Sequence, residues 1–151
     1  MAKRVFRLWF AVVASACLFL LSGTAQTGEP MSKKELTETI EKVRTGATST
    51  IRDEAAQHLA ELTRGINPKD IDDKTITDLV SLLDLREARY WVAVSLGNLG
   101  SRAKTAIPKL QQVLAEEDCL RVSKSAAGAI RHALAQMGVK PPPPKCETTG
   151  K

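Results

Sequence analysis

The stretch that decides the fold is Ala88-Arg-Tyr-Trp-Val-Ala-Val-Ser-Leu-Gly-Asn-Leu-Gly100. Small and apolar residues recur along it at the spacing that lines one side of an α-helix. These residues are Ala88, Val92, Ser95, Leu96 and Leu99. Glycine at position 100 is typical of a helix that ends on a left-handed residue. The stretch therefore predicts an amphipathic helix over about 85–99.

Related versions of this helix stand before and after it in the chain. The first aligned positions are Ile51, Ala88 and Val122, the small pairs are 55–56, 92–93 and 126–127, and the third positions are Leu59, Leu96 and Ile130. All three positions agree on offsets of 37 and then 34 residues. A period of this length with two helices per unit is typical of an α-solenoid, in which stacked units share one core.

A second helical pattern precedes each of the three, so the sequence predicts three helix pairs. We expect an all-α, right-handed α-solenoid over residues 32–138, with repeats at 32–65, 67–100 and 101–138. The first helix of each pair is the predicted outer helix and the second is the predicted inner helix. Three units are about the minimum that buries a continuous core.

Polar residues and prolines predict where these helices begin and end. Ser32 and Glu35 have the spacing of a capping box, and Thr50 and Asp53 are predicted to cap the next helix in a similar way. Asn67-Pro68 predicts a turn or short helical start, followed by a helix whose N-terminus carries Asp72 or Asp73.

The third pair is predicted from 105–116 and 120–137. Pro108 must lie in or near the first turn of its helix. Glu116, Glu117 and Asp118 have the wrong sign for a helix C-terminus, so we expect them to begin a loop, with Asp118 facing solvent. Gly138 ends the last helix, and Gly128 is expected to let paired helices approach closely.

The pattern resembles the HEAT repeat, particularly the short bacterial HEAT-like form. The resemblance is closest over Ala88–Leu114, extends through Val122–Ile130, is weaker over Ile51–Leu62 and covers residues 32–138. It implies a scaffold whose inner helices line a concave binding surface. Ser123 departs from the family pattern, which has arginine at this position, so a continuous arginine ladder is not implied.

Residues 1–25 are predicted to be a secretory signal peptide. A basic segment, Met1–Arg7, precedes the apolar run Leu8–Leu21, and the small residues before Gln26 predict cleavage between Ala25 and Gln26. Two alternatives are a retained membrane anchor over residues 8–22 and a lipoprotein modified at Cys17. Residues 26–31 are expected to form a disordered lead-in, and 139–151 a proline-rich extended tail. An exported protein, periplasmic or extracellular, is therefore expected.

The net charge of +5 overstates how basic the exported part is. Lys3, Arg4 and Arg7 lie within residues 1–25, which carry no acid, so the remainder has a net charge of +2. A nucleic-acid-binding protein needs a concentrated basic face. No nucleic-acid partner is expected, and a membrane is expected only if the N-terminal segment is retained.

The sequence carries no pattern typical of a catalytic or metal site. His58 and His132 have no partner residues at metal-ligand spacing, and phosphate-loop, nucleophile-elbow and Cys-x-x-Cys motifs are absent. We expect no cofactor, no metal and no enzymatic activity. An exported, non-catalytic protein-interaction module is expected; the alternatives are a subunit or chaperone of a cell-envelope enzyme, and a small ligand-binding or lyase-like protein.

Cys119 and Cys146 are the cysteines that remain after residue 25, and they predict a disulfide in an oxidising compartment. A helix over 120–137 spans about 27 Å. The eight residues 138–145 return about 25 Å if extended like polyproline II. The tail can thus run back along the last helix; two free thiols are the alternative.

A partner site is expected on the inner helices because Arg, Tyr and Trp often anchor interfaces. The hypothesis places six residues there: Arg52, Arg86, Arg89, Tyr90, Arg121 and Lys124. Trp91, by its spacing from Ala88, is expected to pack against the core.

Overall fold

The computed structural model describes residues 33–118 and 125–144 of the 151-residue chain. The regular structure in these two ranges is helical, as the sequence predicts. The α-helices are α1 (Lys33–Thr45), α2 (Ser49–Gly65), α3 (Asp73–Ser81), α4 (Arg89–Leu99), α5 (Ile107–Glu117) and α6 (Ala127–Gln136). Short 3-10 segments at Pro68–Asp70, Leu82–Asp84, Arg86–Ala88 and Gly100–Ala106 connect some of them.

The helices associate in consecutive pairs, α1 with α2, α3 with α4 and α5 with α6. The three predicted inner helices, α2, α4 and α6, also pack side by side, with α4 in the middle. We call these three the inner helices and the other three the outer helices. Residues of α4 are therefore covered by helices on more than one side.

Repeat position alone does not decide burial. Ala88, Val92 and Leu96 of the opening stretch are 0% exposed, as predicted for the central unit. Ile51, the counterpart of Ala88 one repeat earlier, is 38% exposed although it was expected in the core. In the described ranges no inner helix precedes α2. Ile51 therefore lacks a covering inner helix, whereas α2 covers the corresponding side of Ala88.

Side-chain caps fix two helix starts. The Asp72 carboxylate accepts hydrogen bonds from the backbone N–H and hydroxyl of Thr75, at 2.8 and 2.7 Å, and so caps α3. The start of α2 corrects the sequence prediction. Thr48 rather than Thr50 is the cap, and its hydroxyl accepts from the Ile51 N–H at 3.2 Å.

The third pair differs from the prediction at its centre. Glu116 and Glu117 lie in the last turn of α5 and not in a loop, while Pro108 is in the first turn as expected. Helix α6 begins at Ala127 and not at 120, because Ser125 and Ala126 precede it in non-helical or turn conformation.

Gly138 ends α6 with a φ of +83°. The N–H groups of Gly138 and Val139 donate to the carbonyls of Ala135 and Leu134, at 3.0 and 2.9 Å. This pair of hydrogen bonds is the Schellman motif, and it places Val139 against the core. The chain after α6 therefore leaves in a fixed direction.

Helix α4 approaches α6 closely at Gly97. A Cβ built there would lie 3.2 Å from the Cα of Ala133 on α6. Gly128, which was expected to serve this purpose, is exposed, and its Cβ would meet no atom within 4 Å. On the other side of α4, the Asn98 amide donates to the Ala60 carbonyl of α2 at 3.0 Å.

None of the helices in the described part of the chain is long and apolar enough to cross a bilayer. The predicted signal peptide, its Ala25–Gln26 junction and the Cys17 alternative lie outside the described residues.

Candidate partner-binding face

Two inner-helix arginines occupy the same repeat position and make the same local contact. Arg52 donates from Nη1 to the Gly46 carbonyl at 2.9 Å, and Arg89 donates from Nε to the Leu83 carbonyl at 2.9 Å. Each acceptor lies six residues before its arginine, in the connection between the helices of a pair. Part of the arginine pattern therefore serves to join the two helices of a pair in the first two units.

Arg89 also binds the following repeat. Its guanidinium donates to Glu117 at 2.8 Å and to Glu116 at 2.9 Å, and the residue is only 8% exposed. The hypothesis that Arg89 contacts a partner is therefore wrong, because its donors are used inside the fold. Glu116 and Glu117, which were expected to begin a loop, are the ion-pair partners of Arg89.

Arg131 on α6 makes a comparable contact. It forms an ion pair with Asp118, whose side chain is only 3% exposed, and it donates from Nε to the Pro142 carbonyl at 3.3 Å. The expectation that Asp118 faces solvent is therefore wrong. Arg131 also fixes the returning tail against α6.

The remaining basic residues of the predicted site differ in how the structure places them. Arg52 is half-buried and forms an ion pair with Glu87. Arg86 is exposed on the short 3-10 segment before α4. Arg121 and Lys124 lie outside the described residues, as do Cys119 and Cys146.

Tyr90 and Trp91 form an edge-to-face pair with ring centroids 4.9 Å apart and planes at 88°. Tyr90 is 39% exposed. Trp91 is half-buried and packs against the core, as its spacing predicts, but part of it stays accessible. The pair therefore offers a partly exposed aromatic surface on the middle inner helix.

Helical spacing extends this aromatic surface into a continuous face. Four half-buried or exposed positions of α4, Tyr90, Trp91, Val94 and Asn98, share one side of the helix, and Glu87 in the 3-10 segment before α4 continues that side. Their repeat counterparts are Asp53, Glu54, Gln57 and Glu61 on α2, and Gly128 and His132 on α6. We call this set the inner face.

The acids of the inner face differ in their contacts and in their exposure. A hydrogen bond from its own backbone, and then Arg52, hold the pKa of Glu87 below its usual range against the opposing effect of burial. Glu54 and Glu61 are exposed. His58 lies at the edge of α2, with ring nitrogens 3.6 Å from Glu35 and 3.9 Å from Glu61.

Within residues 33–118 and 125–144, no group of three or more His, Cys, Asp or Glu side chains is placed to hold a metal ion. The described residues of the inner face present aromatic, amide and carboxylate groups.

Three functional or structural residues were missed by sequence reasoning. Glu117 is a buried ionic partner, Arg131 is a half-buried one, and Gly97 is a point of close helix approach. Gly97 could have been found, because glycine inside a helix that packs on both sides suggests close approach. For Glu117 the sequence carried one indication, namely that an acid is unfavourable at a helix C-terminus. The ion pair with Arg89 explains why an acid occurs there.

Comparison with known families supports the repeat. Residues 88–116 match the family described as PBS lyase HEAT-like repeat. This segment runs from the start of the middle inner helix to the last turn of α5, and it is a HEAT-like repeat unit, as the resemblance in the sequence indicates. Neither the functionally curated proteins nor the solved structures contain a match to the chain.

Proposed function

We propose that the protein is an exported, non-catalytic HEAT-repeat interaction module that binds a protein partner through its inner face. In this proposal the three helix pairs form a right-handed α-solenoid, and the inner helices line its concave side. Residues 1–25 are the signal peptide, and the proline-rich tail covers the last repeat. The HEAT-like unit at 88–116 and the packing of α4 between α2 and α6 support this arrangement.

The observation that carries the proposal is the exposure of Tyr90 beside Trp91. The buried small-residue positions of α4 explain helix packing, but an exposed tyrosine on the opposite side has no such role in the fold. Tyrosine and tryptophan are enriched among the residues that dominate interface energies. Their position on the middle helix would place them at the centre of a concave surface.

Site-specific photo-crosslinking tests the proposal. A photoreactive phenylalanine replaces Tyr90 in the full chain, produced in cells that normally make the protein. The matched control replaces Gln111, an exposed residue of the outer helix α5. We expect a discrete crosslinked adduct from position 90 and none from position 111. Adducts from position 111 without any from position 90 would place the partner on the outer helices and overturn the proposal.

The intact mass of the protein recovered from the cell envelope or medium tests export independently. Cleavage before Gln26 predicts a mature chain of residues 26–151. A retained Met1 contradicts the signal peptide and favours the anchor over residues 8–22.

A further inference from the structure

Trp91 carries a hydrogen-bond donor that the fold does not use. Within residues 33–118 and 125–144, neither its indole N–H nor the hydroxyl of Tyr90 pairs with another group. Every fully buried side-chain nitrogen or oxygen in these ranges has a partner, so the unpaired indole nitrogen is accessible from solvent although Trp91 is half-buried. Tryptophan N–H groups usually find a partner inside a fold. Trp91 therefore presents an unused donor beside the exposed ring of Tyr90.

The polar groups next to the aromatic pair are already engaged. Glu87 forms an ion pair with Arg52, and Asp53 also has a partner. The amide of Asn98 donates to a backbone carbonyl and a hydroxyl of α2. The indole N–H and the two aromatic rings are thus the groups at this place that remain available to a partner.

Charge does not select the partner of this face. Arg86 is exposed just before α4, and Glu54 and Glu61 are exposed on α2, so both signs are accessible. Arg121 and Lys124, which the repeat places on the same face, lie outside the described residues. The chemistry of the partner is therefore inferred from the aromatic pair and its unused donor.

The apolar part of the face is short. Tyr90, Trp91 and Val94 are its partly exposed apolar or aromatic side chains on α4, and they span about 6 Å along the helix axis. An amphipathic partner helix needs anchors at i, i+4 and i+7, which span about 10 Å. A small contact area suits a ligand that loses little conformational freedom on binding, because that loss subtracts from the affinity.

A proline-rich segment in the polyproline II conformation has the required properties. It is ordered before binding, it has no internal hydrogen bonds, and its prolines carry no N–H. It therefore presents carbonyl acceptors between apolar rings, and such segments dock on aromatic-lined surfaces. The planes of Tyr90 and Trp91 stand at 88° with their centroids 4.9 Å apart, so the two rings form a corner for one pyrrolidine ring.

The chain already contains one contact of this kind. The Nε of Arg131 on α6 donates to the carbonyl of Pro142 at 3.3 Å. Pro141 and Pro144 are half-buried while Pro142 and Pro143 are exposed, a spacing that fits three residues per turn. A side-chain N–H of an inner helix thus holds a proline carbonyl without a pocket for the proline ring.

We propose that the inner face binds a proline-rich segment of another protein in the polyproline II conformation. One pyrrolidine ring packs between Tyr90 and Trp91, the Trp91 indole N–H donates to a carbonyl of the segment, and a neighbouring ring lies on Val94. The proposal rests on the proposed function and names the chemistry of its partner.

Tryptophan fluorescence of the full chain tests the partner chemistry. Trp9→Phe leaves Trp91 as the single tryptophan of the chain. The probes are blocked decapeptides of L-proline and of D-proline, which have the same composition, charge and stiffness but form helices of opposite hand. We expect a saturable change in Trp91 emission and about tenfold tighter binding of the L-peptide. Equal binding of the two peptides, or no saturable change up to about 2 mM L-peptide, overturns the proposal.

Salt dependence separates this contact from an electrostatic one. Both peptides are neutral, so the affinity for the L-peptide should change by less than about twofold between about 50 and 500 mM salt. A steep loss of affinity over this range would mean that charged groups drive binding, which contradicts the proposal.

Variants locate the binding surface, with a fluorescently labelled L-peptide and anisotropy as the readout. Tyr90→Ala removes an exposed ring and should weaken binding by about tenfold, whereas Tyr90→Phe keeps the ring and should stay within about threefold of wild type. Trp91→Phe keeps an aromatic ring but loses the N–H donor, and it should also weaken binding by about tenfold. The matched control, Gln111→Ala on the outer helix α5, should change binding by less than about twofold. Equal losses in Tyr90→Ala and Gln111→Ala contradict the proposed surface.

The outcomes separate the two proposals. If position 90 crosslinks another protein but the L-peptide is not preferred, the partner chemistry is wrong and the interaction face stands. If neither result is obtained, both fail. An adduct at position 90 with twice the mass of the chain, suppressed by the L-peptide, would identify the tail of a second copy as the occupant and overturn the assignment to another protein.

Discussion

Arg89 and Glu117 form a buried ion pair that joins the middle repeat to the third. The guanidinium Nη1 lies 2.8 Å from the carboxylate Oε1, and the two side chains are 10% and 4% exposed. Arg89 comes from the start of α4, and Glu117 from the last turn of α5, which precedes the final inner helix. Arg89, which the sequence suggests as a surface binding residue, therefore forms an internal contact between two repeats.

Arg89→Ala is expected to destabilise the protein strongly. The substitution leaves Glu117 buried without its counterion, a situation that costs about 3–5 kcal/mol in the free energy of unfolding. Chemical denaturation followed by circular dichroism measures the loss. The control, Arg64→Ala, removes an exposed arginine of α2 and should cost less than about 0.5 kcal/mol.

Replacing both members of the pair should restore much of that stability. Arg89→Met with Glu117→Met removes both charges and keeps comparable volume, and such replacements are often near neutral. If Arg89→Ala costs no more than Arg64→Ala, the ion pair contributes nothing and Arg89 would again be a candidate surface residue.

The repeat and most helix positions could be predicted because they depend on local periodicity. The stripe Ala88, Val92, Leu96 and Leu99 predicted the buried side of α4, since a 3.6-residue period identifies one side of a helix whatever packs on it. The arginines were misassigned for a different reason. Periodicity shows that Arg89 lies off the stripe, but its partners are 27 and 28 residues away and no local pattern signals them.

The exposure of residues at the edge of the first repeat could also not be predicted from the repeat pattern. Ile51 and Ala88 occupy one repeat position, and their exposures differ because only Ala88 has an inner helix on that side. Of the residues placed in the predicted partner site, Tyr90 is exposed and Arg89 is buried. Which arginines stay accessible depends on the ion pairs that form inside the fold.

Asp72 makes stability depend on pH. Its hydrogen bonds with Lys33 and Thr75 hold its pKa well below the usual range, and the Lys33 ammonium lies 2.5 Å from the carboxylate. Because the folded pKa is the lower one, this contribution is fully present above about pH 4, the ordinary aspartate pKa, and is lost as the pH falls further.

Asp72→Asn keeps a capping side chain but removes the titrating charge. We expect a lower melting temperature than wild type at pH 7 and a smaller difference between the two proteins at pH 2.5. Asp70→Asn, an exposed carboxylate in the preceding turn, is the control and should follow the wild-type pH profile. A pH profile of Asp72→Asn parallel to that of the wild type would contradict the assignment.

The path of the tail supports the proposed disulfide between Cys119 and Cys146, which both lie outside the described residues. Arg131 contacts Asp118, the residue before Cys119, and the carbonyl of Pro142, four residues before Cys146. Four residues in polyproline-like extension cover about 12 Å, and the tail after Val139 runs back along α6. The start of the tail is thus directed towards Asp118, the residue before Cys119.

Peptide mapping of the exported protein without reduction should therefore yield a crosslinked peptide containing both cysteines. In the chain-entropy model, closing this loop stabilises the fold by about 3–4 kcal/mol, so Cys119→Ser should lower the melting temperature. Reduction should lower the wild-type melting temperature to that of the variant and leave the variant unchanged. Two alkylatable thiols in the unreduced protein would reject the disulfide.

Two helical glycines should respond in opposite directions to alanine. Gly128 is exposed on α6, and a Cβ there would meet no atom within 4 Å, so Gly128→Ala gains helix propensity without a clash. At Gly97 the same methyl would lie 3.2 and 3.3 Å from the Cα and Cβ of Ala133. Because the Cα belongs to the backbone of α6, it can yield only if the two inner helices move apart.

We expect Gly128→Ala to raise the free energy of unfolding by about 0.5–1 kcal/mol, the difference between glycine and alanine in a helix. Gly97→Ala should lower it by about 1–3 kcal/mol, because overpacking at a close-packed interface exceeds the propensity gain. Denaturant midpoints of the two variants measure both effects against one wild type. A stabilising Gly97→Ala would show that α4 and α6 can move apart without loss, which contradicts tight packing of the two inner helices at this position.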